Sequence, residues 1–214
     1  MPLDGVLQLA EVADELVHEH FVCDTRDHED HTFCGIMFDV RCECDLPLEH
    51  LELESVSVRG DLGQLTVWHT SGTFRGKEQK KNEWTCVYEG QHASSRDVLV
   101  ELIFPAAIRL AAGESCGLYV HSAEPGDDAI VYDNQRTRKF TYRDRFLELL
   151  PGKAHLSNRP FGDHGMWGSP WRSNREFVGR VSYGVRWKMW SPEVRPCHCT
   201  GLSLPCCDLY TCCL

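Results

Sequence analysis

The chain has 214 residues, 42% hydrophobic and 25% charged, a balance that excludes global disorder and supplies apolar surface for a core of its own. Its formal charge of −10 disfavours nucleic acid as a partner. That charge is unevenly divided: positions 1–54 hold 15 acids against Arg26 and Arg41, whereas positions 136–188 hold 12 bases against four acids.

A membrane helix needs about 18 or more consecutive apolar residues. The nearest stretch, Val98 to Leu110, is interrupted by Glu101, Pro105 and Arg109. The N-terminus carries Asp4, Glu11, Asp14, Glu15 and Glu19 where a secretory signal needs positive charge and an apolar run, so a cytoplasmic protein is expected. Six cysteines (Cys23, Cys34, Cys42, Cys44, Cys86, Cys116) are scattered, and six (Cys197, Cys199, Cys206, Cys207, Cys212, Cys213) crowd the last 18 positions. Without a secretory signal, reduced thiols are the expected state.

In chain order, Leu3 to His20 reads as a helix. Pro2 and Asp4 stand at its start, and Val6, Leu9, Ala13, Leu16 and His20 follow alternating steps of three and four. Cys23 to Thr32 reads as a polar, acidic linker. From Cys34 the pattern changes to period two, with strands expected at Gly35 to Arg41, Leu51 to Arg59, Gln64 to Thr70, Trp84 to Glu89, Val98 to Phe104, Gly117 to Ser122, Ala129 to Asp133, Arg143 to Leu149 and Phe177 to Trp187. Turn clusters such as Gly60-Asp61, Ser71-Gly72, Pro125-Gly126 and Pro151-Gly152 lie between them. Alternation slips phase at Ser55, which signals a bulge or a strand crossing between sheets. The expected architecture is mainly β: an antiparallel β-sandwich or jelly roll with an N-terminal helix. Residues 1–33 form the acidic helix and linker, 34–190 the β-sandwich domain, and 191–214 a Cys-rich tail.

The run Gly35-Ile36-Met37-Phe38-Asp39-Val40 is followed by Leu65 to Thr70 with Gly72, then Trp84, Ile108 to Gly113, Gly117-Leu118-Tyr119-Val120, and Phe177-Val178-Gly179 with Tyr183. This order resembles a β-sandwich module that recurs in algal and other protist proteins. More distantly, the Gly-Ile-x-Phe-x-Val start resembles the PHR-type sandwich of ubiquitin-ligase adaptors. The first resemblance implies a module of undetermined activity, the second partner binding, and neither brings catalytic residues.

Among candidate sites, the long segment Gly152 to Glu176 sets Arg159, His164, Trp167, Trp171, Arg172 and Arg175 among glycines and prolines. Trp and Arg carry most energy at interfaces, so this basic, Trp-bearing loop is the expected recognition surface of a non-catalytic binding module for a protein or anionic ligand. The acidic N-terminal segment is a candidate cover for it. His18-Glu19-His20 offers metal-type ligands, but on a helix positions i and i+2 do not share a face. His28 and His31, with Asp24 and Asp27, offer a second divalent-ion set. The tail, with six thiols and His198, suits zinc or Cu(I), and adjacent cysteines also suit reversible acylation. No nucleophile elbow, phosphate loop or H-E-x-x-H appears. A metal-dependent or carbohydrate-active jelly-roll enzyme is the alternative reading.

Overall fold

The computed structural model describes residues 18–43, 48–135, 139–164 and 168–187. Among the described residues thirteen strands run in chain order: β1 (His18–Asp24), β2 (His31–Phe33), β3 (Gly35–Cys42), β4 (Leu48–Gly60), β5 (Gly63–Ser71), β6 (Thr85–His92), β7 (Ser95–Leu110), β8 (Ser115–Ser122), β9 (Ile130–Asn134), β10 (Tyr142–Arg143), β11 (Leu147–His155), β12 (Trp171–Phe177) and β13 (Arg180–Trp187). They form two antiparallel sheets. One has the order β1-β13-β4-β7, and the other β2-β9-β12-β11-β3-β8-β5-β6, with β10 paired to β11. Seven of the nine expected strands are present, several longer than their sequence pattern indicated, whereas Arg143 to Leu149 is broken at 144–146 between β10 and β11 and Phe177 to Trp187 at 178–179 between β12 and β13. The turn expected at Pro151-Gly152 lies inside β11, and the two ends of the loop expected from Gly152 to Glu176 belong to β11 and β12.

Period-two alternation explains the inner faces. Ile36, Phe38 and Val40 of β3 and Leu118 and Val120 of β8 join Leu51, Leu53, Val56 and Val58 of β4 and Val181, Tyr183 and Val185 of β13 in one core drawn from both sheets. In β4 the inward positions change parity between Leu53 and Val56, and the β4–β7 register shifts between Leu53 and Ser55. The bulge announced by the sequence therefore lies where the alternation slipped.

The stretch read as helix and linker needs correction where it is described. His18 to Asp24 is a strand paired with β13, from His18 opposite Arg186 to Asp24 opposite Arg180. Helical spacing failed here because an edge strand with only Phe21 and Cys23 committed to the core shows too little alternation to read. The rest of the expected helix, residues 1–17, and the Cys-rich tail lie outside the described residues.

The linker is tied down by its charges. Arg59 donates to Asp27 through Nε at 2.7 Å and also binds Asp30, while Arg180 donates to Asp24 at 2.7 Å. The buried Asp133 carboxylate accepts from the backbone N–H groups of His28 and Glu29 at 3.1 and 2.8 Å. Asp27 and Asp30 of this segment thus meet Arg59, and Asp24 meets Arg180.

Candidate functional site

Consecutive strands β6 and β7 belong to different sheets and are edge strands of each. The chain crosses between the sheets at residues 93–94, and the neighbouring crossing at 61–62 is tied to it by an Arg96–Asp61 ion pair of 2.9 Å. Beyond these corners β7 bulges against β4. Ser55 pairs with Ile103 and Leu53 with Ile108, so Phe104, Pro105, Ala106 and Ala107 stand opposite the single residue Glu54. Proline has no N–H to give to a ladder and is tolerated at such a bulge on an edge.

The bulge makes one wall of a cleft of about 540 Å³, with Pro105, Ala106, Ala107 and Ile108 facing Thr85, Cys86 and Val87. A second hollow of about 340 Å³ continues it along Ser71, Gly72 and Gly113 to Cys116. His69, Ile108 and Arg109 line both. The Nδ1 of His69 is buried with no hydrogen-bond partner among the described residues, and burial lowers its pKa, so the ring is neutral. Arg109 donates to Glu52 at 3.1 Å, where His50 and Arg186 also converge.

A second cluster covers the outer face of the larger sheet. Gly35 lies between His155 and His121 in register, and Trp171 pairs with His155. A Cβ on Gly35 would meet Val120 O at 2.8 Å and Tyr119 Cε2 at 3.0 Å, so the glycine of the opening motif is required by close packing. The Tyr119 hydroxyl bonds His155 Nδ1 at 2.6 Å, and His155 Nε2 bonds Gly162 O at 3.1 Å. His121 Nε2 meets Ser157 O at 2.9 Å. Burial holds His155 down to about 4 and His121 to about 3, and pushes the Tyr119 phenol well up. Two neutral histidines therefore pin the segment after β11 to the sheet, with Met37, Phe74, Trp84 and Phe161 filling the space around Tyr119.

The expected site residues are divided by this arrangement. Trp171 turns inward and stacks on His155, with centroids 4.0 Å apart. Arg175 lies over the Tyr132 ring at 5.7 Å and donates to Ser173 O at 2.7 Å, while Arg172 donates to Ser169 O at 2.9 Å. Arg159 is on the exposed part of the loop, and His164, also exposed, bonds Asp163 at 2.5 Å. Trp167 lies outside the described residues.

His18-Glu19-His20 is strand, so the helical argument against it as a metal pair does not apply; His20 meets Glu54 at 3.0 Å. Of the second ion set, Asp24 and Asp27 are paired with arginines and His31 with Glu29 at 3.3 Å. Among the described residues no three His, Cys, Asp or Glu side chains form a metal-holding group.

No family model and no curated protein matches the chain. Among solved structures it is similar to a chain of "Structure of infectious bursal disease virus Gx strain", at 11% identity and a TM-score of 0.27. The likeness covers 79% of this chain and 39% of that one. A match of this degree carries no argument about function.

The cleft had no place in the sequence reading. Its signal was Pro105-Ala106-Ala107, which reads as the end of a strand but is a bulge within one, since β7 resumes and runs to Leu110.

Proposed function

We propose that the protein is a non-catalytic binding module, a β-sandwich of jelly-roll kind, whose ligand seats in the cleft between β6 and β7. The observation that carries this reading is the meeting of two edge strands around an apolar hollow: Val87, Pro105, Ala106, Ala107 and Ile108 line space that the core leaves unfilled. Concave, mainly apolar sites with a few polar groups are what ligands occupy, and His69 supplies a neutral polar group here.

The motif order resembling the algal and protist module falls on β3, β5, β7, β8, β12 and β13 and brings no reactive set to the cleft. Tyr119, His121 and His155, the nearest approach to an acid–base constellation, are sealed from solvent at 0% exposure and act as pins. The basic loop is the weaker surface for a protein or anionic ligand, because Trp171 is committed to His155 and both Arg172 and Arg175 donate to carbonyls of their own strand segment. Free thiols at Cys23, Cys34, Cys42, Cys86 and Cys116 support a cytoplasmic setting. No helix among the described residues is long and apolar enough to cross a membrane.

The test is binding of an anilinonaphthalene sulfonate dye, read by fluorescence. Native protein is expected to enhance emission saturably, and Ala107→Arg, at an exposed position, to abolish the enhancement without changing the unfolding midpoint. Equal enhancement by the variant overturns the cleft as the site.

A further inference from the structure

We propose that the occupant of the cleft is an extended peptide that adds to the free edge of β6 as one more strand of the larger sheet. Its alternate side chains drop against Val87, Ala106, Ala107 and Ile108. The inference rests on the cleft being the binding site and names the class of partner that fits it.

Two features coincide at the cleft and point to a peptide. β6 pairs with β5 on one side and with no described strand on the other, and β7 likewise pairs only with β4. Unpaired edges present rows of N–H and C=O groups that template another strand. Beside them lies an apolar hollow. A small apolar molecule would fill the hollow and leave the edge unpaired. A strand satisfies both, since its backbone pairs with the edge while every second side chain faces the same way.

The two edges are not equivalent. Proteins blunt exposed edges with charges, proline and bulges, and β7 has all three: Arg96, Asp97 and Glu101, Pro105, and the bulge from Phe104 to Ala107. β6, Thr85–His92, contains no proline and one charged residue, Glu89, which is already met by Gln64 at 3.1 Å. The unprotected edge is therefore the one beside Val87, and the protected strand forms the opposite wall.

The experiment selects a displayed library of random peptides against the full-length protein, with Ala107→Arg as the counter-selected variant and the dye as an independent reporter. Peptides with apolar residues at alternate positions are expected to be enriched and to displace the dye. N-methylation of alternate backbone amides is expected to weaken them about fivefold for each hydrogen bond lost, with methylation of the intervening amides weaker in effect. Enriched peptides indifferent to N-methylation overturn strand addition while the cleft stands, as does dye binding with no peptide enriched. A concentration-dependent dimer that excludes the dye and is lost in Ala107→Arg makes the occupant a second copy of this chain and also overturns it. If neither dye nor peptide distinguishes Ala107→Arg from the native protein, the site itself falls.

Discussion

Asp39 holds the turn that follows β5: its carboxylate accepts from the Thr73 hydroxyl at 2.6 Å and from the Phe74 backbone N–H at 2.9 Å. Burial raises its pKa, against the pull of these two bonds. Asp39 is only 4% exposed, so Asp39→Ala leaves the buried Phe74 N–H without its partner and releases the hydroxyl of exposed Thr73. The expected cost is about 1–3 kcal/mol, read as a lower midpoint in denaturant. Asp39→Asn keeps one acceptor oxygen and is expected to lose less; equal stability of the Ala variant would remove this role.

Stability should fall as pH drops below neutrality. Buried His155 and His121 have folded pKa values of about 4 and about 3, below the ordinary 6.5. The unfolded chain therefore binds more protons in the interval, and stability present above about pH 6.5 is lost as pH falls toward about 4. Burial lowers His69 in the same direction. The total is on the order of a few kcal/mol, measured as denaturant midpoints at closely spaced pH values. A flat profile between pH 7 and 5 contradicts it.

Gly179 sits between β12 and β13 with φ +153°, and a Cβ there would lie 2.1 Å from Ser57 O. The expected result for Gly179→Ala is destabilisation of several kcal/mol or failure to fold, since backbone of two strands must separate. A native-like melting curve for the variant would show that β4 yields easily at Ser57.

Cys86 is exposed, whereas Cys23, Cys34, Cys42 and Cys116 are buried. Burial pushes Cys23 and Cys116 up to about 12 and Cys34 to about 11. Alkylation of native protein followed by peptide mapping should label Cys86 first among these five, the other four reacting only after unfolding. Labelling of Cys116 at the rate of Cys86 would mean that the sheets open at the second hollow. The same experiment reports whether any of the five is bridged in its native setting.

Much of the fold was legible because alternation is enforced wherever one face of a strand meets the core, as at Ile36, Phe38 and Val40. Even the parity change in β4 showed, since Leu53 and Val56 cannot both face inward without a bulge. Legibility ended where burial is thin or two-sided. β1 offers too few core residues, and the outer aromatic cluster makes Met37, Tyr119 and Trp171 apolar on the face expected to meet water. Hence Trp171 read as a free anchor when it belongs to a second, smaller core. The cleft was invisible for a further reason: it is created by register between β4 and β7, a relation that no local window contains.

The pairing of β1 with β13 places His18 opposite Arg186. The entry and exit points of the two-sheet body are therefore a strand spacing apart, about 5 Å. A short linker from Trp187 to His18 should close this body into a ring, and new ends cut at Gly126, an open turn with φ +105° and no neighbour within 4 Å of an added Cβ, should leave both sheets intact. Such a circular permutant would keep the whole binding cleft within one uninterrupted half of the reordered chain, so its first strands, β9 to β12, could be varied without touching β5 to β8.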